Sequence, residues 1–432
     1  MKVFPIENIE LDKLCNSNPK RYPFLLESVN SNDTNRYSIL FANPQESIVL
    51  NHIKEFDFLQ KLSTSVEQSI KANSVDLPFT GGWFVYFSYE LIGQIEPVLK
   101  KDLFFNNQPI AIATKIPTAI VFDHLKNKSY LLDEENDKSR LGLVLEDIKA
   151  TQDIPKPSFK GELSFEAEEK FLSAVEKTRA YIKAGDVFQV NLSRQWQYHM
   201  HNELSSTQIY RALKKANPAP FSALAQFDDF SVISSSPERL FSVDGNLIQT
   251  RPIAGTHPRG KGDEDKLLKA QLISHPKEQA EHIMLVDLER NDLGRVCEYG
   301  SVVADEIMTL ETYEYVHHIV SNVKGRLKPD LNIKHLIKAL FPGGTITGCP
   351  KVRCMQIIAE LEQGCRGSYT GSLGYISNNA KMDFNILIRS ISKQNETLTL
   401  RAGAGIVFDS IAPRELEETK HKAEGMLKIF KG

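Results

Sequence analysis

The stretch RELEETKHKAEGML, residues 414–427, puts Glu415, Glu418 and Lys422 within about 60° of one another on a helix turning ~100° per residue. Two carboxylates and an ammonium on one narrow face suit either a divalent cation or a surface ion pair. The surface reading, a Glu418–Lys422 pair spaced i,i+4, is worth about 0.3–0.5 kcal/mol. The metal reading needs another carboxylate, because Mg²⁺ takes oxygen ligands from a few acids and keeps water on its remaining positions. Glu281 in PKEQAEHIMLVDLERND, a helix opened by Pro276, is a candidate: it and His282 stand beside the apolar pair Ile283 and Met284, so one of the two must face inward or skirt the core.

Other residues invite chemistry by type and setting. In LFPGGTITGCPKVR, Gly343, Gly344 and Gly348 with Thr345 and Thr347 lead into a helix expected to begin at Pro350. Small residues there suit an anion at a helix N-terminus, or packing alone. The loop lacks the Walker pattern, which disfavours a nucleotide phosphate and leaves a carboxylate as a guest. Glu238 in the turn SSSPERLF suits a general acid if burial raises its pKa; otherwise it pairs with Arg239 or another base. In YVHHIVSN the two histidines of a strand should point to opposite faces, one inside. Gln189 in GDVFQVNLSR lies opposite Phe188 and Val190, and RAGAGIVFD is a glycine-spaced strand of the kind that lies against a ligand.

The elements that must hold these residues are those of an α+β chain. Residues 1–150 alternate short strand-like runs (RYSILFA, GGWFVYFSY, TAIVFDH) with polar turns. ATQDIPKPSFKGELS reads as an exposed connection. From about residue 165 onward long amphipathic helices alternate with β-rich runs, many of them antiparallel by pattern. A formal charge of −3 with dispersed Lys and Arg argues against a nucleic-acid partner. Five cysteines without a CxxC pair fit reduced thiols and no structural zinc. No apolar run approaches the ~18 residues of a membrane span, so a soluble, cytoplasmic protein is expected.

These motifs, taken in order, resemble the chorismate-utilising enzymes: DVFQVNLSR, SSSPERL, TRPIAGTHPRG, AEHIMLVDLERNDLGRV, VHHIVS, LFPGGTITGCPKVR, GSYTGSLGY, NILIRS, RAGAGIV and EETKHKA. The resemblance implies an anthranilate synthase component I-like α/β sandwich of two large antiparallel sheets with helices outside. It implies a chorismate-binding catalytic region over 160–432 and an N-terminal region over 1–150 built into the same fold. By this likeness Glu281 and Glu418 hold Mg²⁺, with Glu415 close by and Lys422 near the bound carboxylates. Arg389 and Tyr369, with Gly403, match the positions for the enolpyruvyl carboxylate, while Ala254, Gly255, Thr256 and Thr345 line the rest of the substrate. Glu238 and His318 match the positions credited with proton transfer and leaving-group assistance.

The resemblance also narrows the reaction. Water-using members carry a lysine base where this chain has Gln189, so the implied nucleophile is ammonia. FQVNLS, NPAPFSA, SSSPERL, FPGG and EETKHKA resemble aminodeoxychorismate synthase component I, whereas Ala254 in PIAGT resembles anthranilate synthase component I. The larger set of matches implies amination of chorismate at C4 for 4-aminobenzoate and folate synthesis, the alternative being anthranilate formation. No GxCxG amidotransferase signature is present, so ammonia is expected from a separate glutamine amidotransferase subunit in a heterodimer. YPFLLESVNSNDTNRYSILFA resembles the segment forming a tryptophan pocket, with Leu26, Glu27, Ser28, Tyr37 and Ser38 as its marks. Read alone, that segment is an ordinary hairpin, and a silent tryptophan-binding or scaffold protein is the non-enzymatic alternative.

Overall fold

The computed structural model describes the 432-residue chain except residues 30–34, 72–74, 261, 313–315 and 432, and the side chains of 256–258, 277 and 316. Two antiparallel sheets, of twelve and ten strands among the described residues, face each other. Both are built from distant parts of the chain. In the larger one the N-terminal strands Phe24–Glu27 and Tyr37–Ala42 pair with each other, and the first continues onto Phe221–Gln226. Its far side carries Ser390–Gln394, Thr397–Ile406 and Gln189–Met200. The smaller sheet runs from Ile253–Pro258 and Val316–Arg326 through Arg239–Asp244 to the N-terminal strands Gly82–Phe87 and Ala111–Ile116. Residues 1–150 thus contribute strands to both sheets.

Apolar side chains close the space between them. Phe24 of the larger sheet stacks on Phe84 of the smaller, centroids 4.0 Å apart, and Phe41 meets the same ring edge-on at 5.2 Å. Such aromatic pairs add about 0.5–1.5 kcal/mol each beyond their buried area. The Gly82–Phe87 strand is buried at all six positions, which suits a central strand covered on both faces.

Two helices decide where chemistry sits. Pro276–Gly294 packs against the strands of the smaller sheet that carry Gly255 and His318. Ala412–Leu427 packs on the larger sheet against Thr397–Ile406, burying a stripe of Leu416, Ala423 and Met426. The acids and Lys422 lie beside that stripe.

Some local expectations change. The helix after the glycine loop runs Lys351–Glu362 with Pro350 as its N-cap, because Pro350 keeps an extended ψ of 137° although its φ of −69° would suit a helix. A further helix, Asp263–Ser274, forms where periodicity gave no warning. His317 and His318 are both buried, at 0% and 3% exposure: His317 meets Asp265 of the Asp263–Ser274 helix at 2.8 Å, and His318 lies within reach of the Arg389 charge. Glu238 does not pair with Arg239, whose guanidinium binds Asp383 at 2.9 and 3.0 Å instead. The ATQDIPKPSFKGELS connection ends early, since Gly161–Phe165 adds a strand beside Gln189–Met200.

Candidate active site

Glu238 stands in the turn between Ser231–Ser236 and Arg239–Asp244, where the strand crosses from one sheet to the other. Its backbone is pinned on both sides: its N–H donates to Ser236 Oγ at 3.2 Å, and its carbonyl accepts from Ile386 N–H at 3.0 Å. The side chain is 6% exposed and accepts from the Thr345 hydroxyl at 2.8 Å. Burial pushes its pKa up to about 7, against the opposing pull of Thr345 and of the Lys422 charge. A carboxyl poised there can give and take protons near neutrality.

Lys422 links the remaining acids. Its ammonium lies 2.7 Å from Glu418, and both side chains are 45% exposed in a recess open to solvent. Surrounding protein works against the charge, but Glu418, Tyr369 and Glu281 outweigh it and hold the ammonium above its ordinary pKa. One cation therefore faces Glu238 from the sheet crossing, Glu281 from one helix and Glu418 from the other. Glu415 is buried at 8% exposure on the same helix, one turn before Glu418.

Gln189 reaches into this group. It is 5% exposed, and its Nε2 donates to Glu281 Oε1 at 3.4 Å. A carboxamide there can orient the acid but cannot take a proton.

The opposite wall is cationic. Arg389 is a non-glycine residue in the left-handed region, φ 51°, and its Nη1 donates to Asn217 Oδ1 at 3.3 Å. Burial alone pulls its pKa down, a guanidinium enclosed without a balancing acid. Such a charge favours an anionic ligand. His318 lies close enough to feel it: burial first, then Arg389, take the imidazole down to about 3, so it is neutral at physiological pH. The Gly255 backbone bonds to this ring, and Gly255 itself has φ 68° at a bulge between Ala254 and Thr256 in the strand pairing with His318. The bulge re-aims the strand toward the site. Ala254 contributes a buried methyl; the Thr256 side chain lies outside the described residues.

Tyr369, 7% exposed, carries Arg366 over its ring at 5.5 Å, and its hydroxyl points over Gly403, where a Cβ would sit 2.7 Å from it. Glycine at 403 is what lets the tyrosine lie there. In the glycine loop, by contrast, Gly344 serves packing, because a Cβ would meet Leu288 at 2.2 Å. Lys351 in the first turn beyond pairs with Asp292 at 2.5 Å, so the loop's contribution to the site is Thr345.

The N-terminal marks assemble as a hairpin. Ser28 N–H donates to Ser38 Oγ at 3.2 Å and Ser28 Oγ to the Tyr37 carbonyl at 2.9 Å, while Leu26 pairs with Ile39. Glu27 accepts from Tyr210 at 2.6 Å and from Lys214 at 2.9 Å.

Sequence reasoning missed Glu278. It lies one turn before Glu281, its Oε2 2.9 Å from where a Cβ on Gly255 would sit. The signal was available: Glu278-x-x-Glu281 repeats the spacing of Glu415-x-x-Glu418. Among the described residues no group of three or more His, Cys, Asp or Glu converges as a metal cluster. What is present is the Glu281 and Glu418 pair about Lys422, a donor set of the size Mg²⁺ uses. The cavities of 360 Å³ beside Glu362 and Arg401, and of 640 Å³ beside Arg194 and Trp196, lie away from these groups.

Comparison with known proteins bears on the fold and the family. The chain is similar to the crystal structure of anthranilate synthase component I from Streptococcus pneumoniae, with a TM-score of 0.79, 34% identity and 93% of each chain covered. The fold is therefore the expected anthranilate synthase component I-like one. It is 40% identical over 408 residues to an anthranilate synthase component I-like protein of Synechocystis sp., covering 92% of this chain and 83% of that one. It is 38% identical over 445 residues to aminodeoxychorismate synthase component 1 of Bacillus subtilis, covering 96% and 93%. The model of the chorismate binding enzymes matches residues 22–428, and the chain belongs to that family.

Proposed function

We propose that this chain aminates chorismate at C4, giving 4-amino-4-deoxychorismate for 4-aminobenzoate and folate synthesis, with ammonia from a glutamine amidotransferase subunit. The observation that carries the choice of nucleophile is Gln189 bound to Glu281. Where a base would have to deprotonate water, the chain offers a carboxamide, so the attacking group must already be nucleophilic when neutral. Ammonia is. The C4 position is supported by the motif set shared with aminodeoxychorismate synthase component I and by the Bacillus subtilis relative, matched nearly end to end.

In this reading Arg389 and Tyr369 hold the enolpyruvyl carboxylate, and the neutral His318 lies beside them. Glu238, protonated up to about pH 7, gives its proton to the 4-hydroxyl, which leaves as water; the amine formed returns a proton to the carboxylate. Glu281 and Glu418 would hold Mg²⁺, with Glu415 behind them, and the ion would supply Lewis-acid stabilisation of the ring carboxylate. Glutamine hydrolysis has no candidate nucleophile among the described cysteines: burial pushes Cys297 to about 11 and Cys354 to about 12, and raises Cys15, Cys349 and Cys365 as well. That supports a separate subunit.

One observation favours anthranilate synthase instead. Ala254 presents a buried methyl and no amine, so C2 has no protein nucleophile with which to relay the substitution to C4. A product assay separates the readings: chorismate, Mg²⁺ and excess ammonium, followed by mass spectrometry and fluorescence. A non-aromatic amino-chorismate that yields 4-aminobenzoate only on addition of a lyase supports C4 amination. Fluorescent anthranilate with free pyruvate overturns it.

A further inference from the structure

Alternate side chains of the Gln189–Met200 strand share a face, so Gln189 and Asn191 are neighbours there, about 6.8 Å apart along the strand. Two glycines of the paired Thr397–Ile406 strand make room for them. A Cβ on Gly405 would sit 2.4 Å from Gln189 Nε2, and one on Gly403 would sit 2.6 Å from Asn191 Oδ1. The main chain of Asn191 is locked, its N–H donating to the Thr347 carbonyl at 2.9 Å and its carbonyl accepting from Arg366 at 2.7 Å. Its side-chain oxygen is different: Oδ1 is buried without a hydrogen-bond partner. An orphaned acceptor destabilises a fold by about 1–3 kcal/mol unless a ligand satisfies it.

The reactants limit what that ligand can be. Ionised carboxylates only accept, and the 4-hydroxyl of chorismate is the leaving group served by Glu238. Ammonia brings three N–H donors and one lone pair. We propose that Asn191 is a specificity-determining residue whose Oδ1 accepts an N–H of ammonia, holding it beside Gln189 with the lone pair free for the ring. This rests on the ammonia-using reading above. The Tyr369 hydroxyl is the other side-chain group over Gly403 and so lies beside the acceptor.

The test is steady-state kinetics on the full-length protein, with ammonium chloride as nitrogen source and each substrate varied in turn. Asn191→Ala should raise the KM for ammonia about tenfold, the loss of one hydrogen bond, and leave the KM for chorismate unchanged. Asn191→Asp, which keeps an acceptor at the same reach, should stay within about threefold of the parent KM for ammonia, and it carries the test if the alanine variant fails to fold. A rise in the chorismate KM with the ammonia KM unmoved would show that the side chain faces the substrate carboxylates and would overturn the assignment. So would an ammonia KM raised equally in both variants. These constants are read whichever amine is formed: anthranilate as product defeats the C4 reading and leaves Asn191 tested, whereas no ammonia-dependent product at all defeats both.

Discussion

Gln189 Nε2 donates to Glu281 Oε1 at 3.4 Å, joining a strand of the larger sheet to a helix that packs on the smaller one. The bond spans the gap between the two halves of the site. It also spends the amide on positioning an acid that the proposed mechanism assigns to Mg²⁺.

Lysine at 189 would bring a base to the same spot. Gln189→Lys should admit water as nucleophile and yield isochorismate, detected by mass spectrometry with ¹⁸O-labelled water. Complete absence of labelled isochorismate would count against the role given to this position.

Loss of one carboxylate should cripple the metal pair. Glu281→Gln is expected to lower Mg²⁺-dependent turnover roughly hundredfold with the melting temperature little changed, since the residue is only partly buried. Persistence of activity at low Mg²⁺ would refute the assignment.

Lys422 lowers the Glu238 pKa from across the recess. Lys422→Met removes that charge, so the protonated form of Glu238 should persist to higher pH. The alkaline limb of kcat/KM, measured at fixed free-ammonia concentration, should move upward from about 7. A limb that stays put or moves down would separate Lys422 from Glu238.

Stability should depend on pH through buried carboxyls. Burial, with the charge of Asp292 adding to it, pushes Glu289 up to about 8, and burial takes Glu238 to about 7, from an ordinary 4.5. Between these values the folded chain retains protons that the unfolded chain has released, so their stabilising contribution is complete below 4.5 and is lost as pH rises through 7 to 8. His282 and His318, taken by burial to about 4 and about 3, act oppositely and destabilise the fold only below 6.5. Above that pH the carboxyls act alone. Melting temperature should fall from pH 6.5 to 8, at up to about 1.4 kcal/mol per pH unit for each group, and Glu289→Gln should lose most of the fall above pH 7. An unaltered slope in that variant would assign the effect elsewhere.

Much of this was legible in residue type and spacing. Helical periodicity alone put Glu415, Glu418 and Lys422 on one face, because a helix of 3.6 residues per turn leaves few other arrangements. Motif order was sufficient for the family and its fold. Strand alternation set Gln189 opposite Phe188 and Val190, but the strand begins at Gln189, leaving Phe188 exposed before it, and Gln189 and Val190 are both buried.

Only tertiary structure decided what these residues meet. Period-two patterning cannot say whether a strand is covered on one side or two, so it misjudged the His317 and His318 pair, both buried. It could not join Gln189 to Glu281, 92 residues later, or bring the Lys422 charge to Glu238. Nor could it show that Gly403 and Gly405 clear space for Asn191 and Gln189, or that the Asn191 oxygen is left unbonded. The physical reason is that local pattern dictates which face a side chain occupies, whereas its partners, its burial and hence its proton affinity arise when sheets and helices from distant stretches close around it.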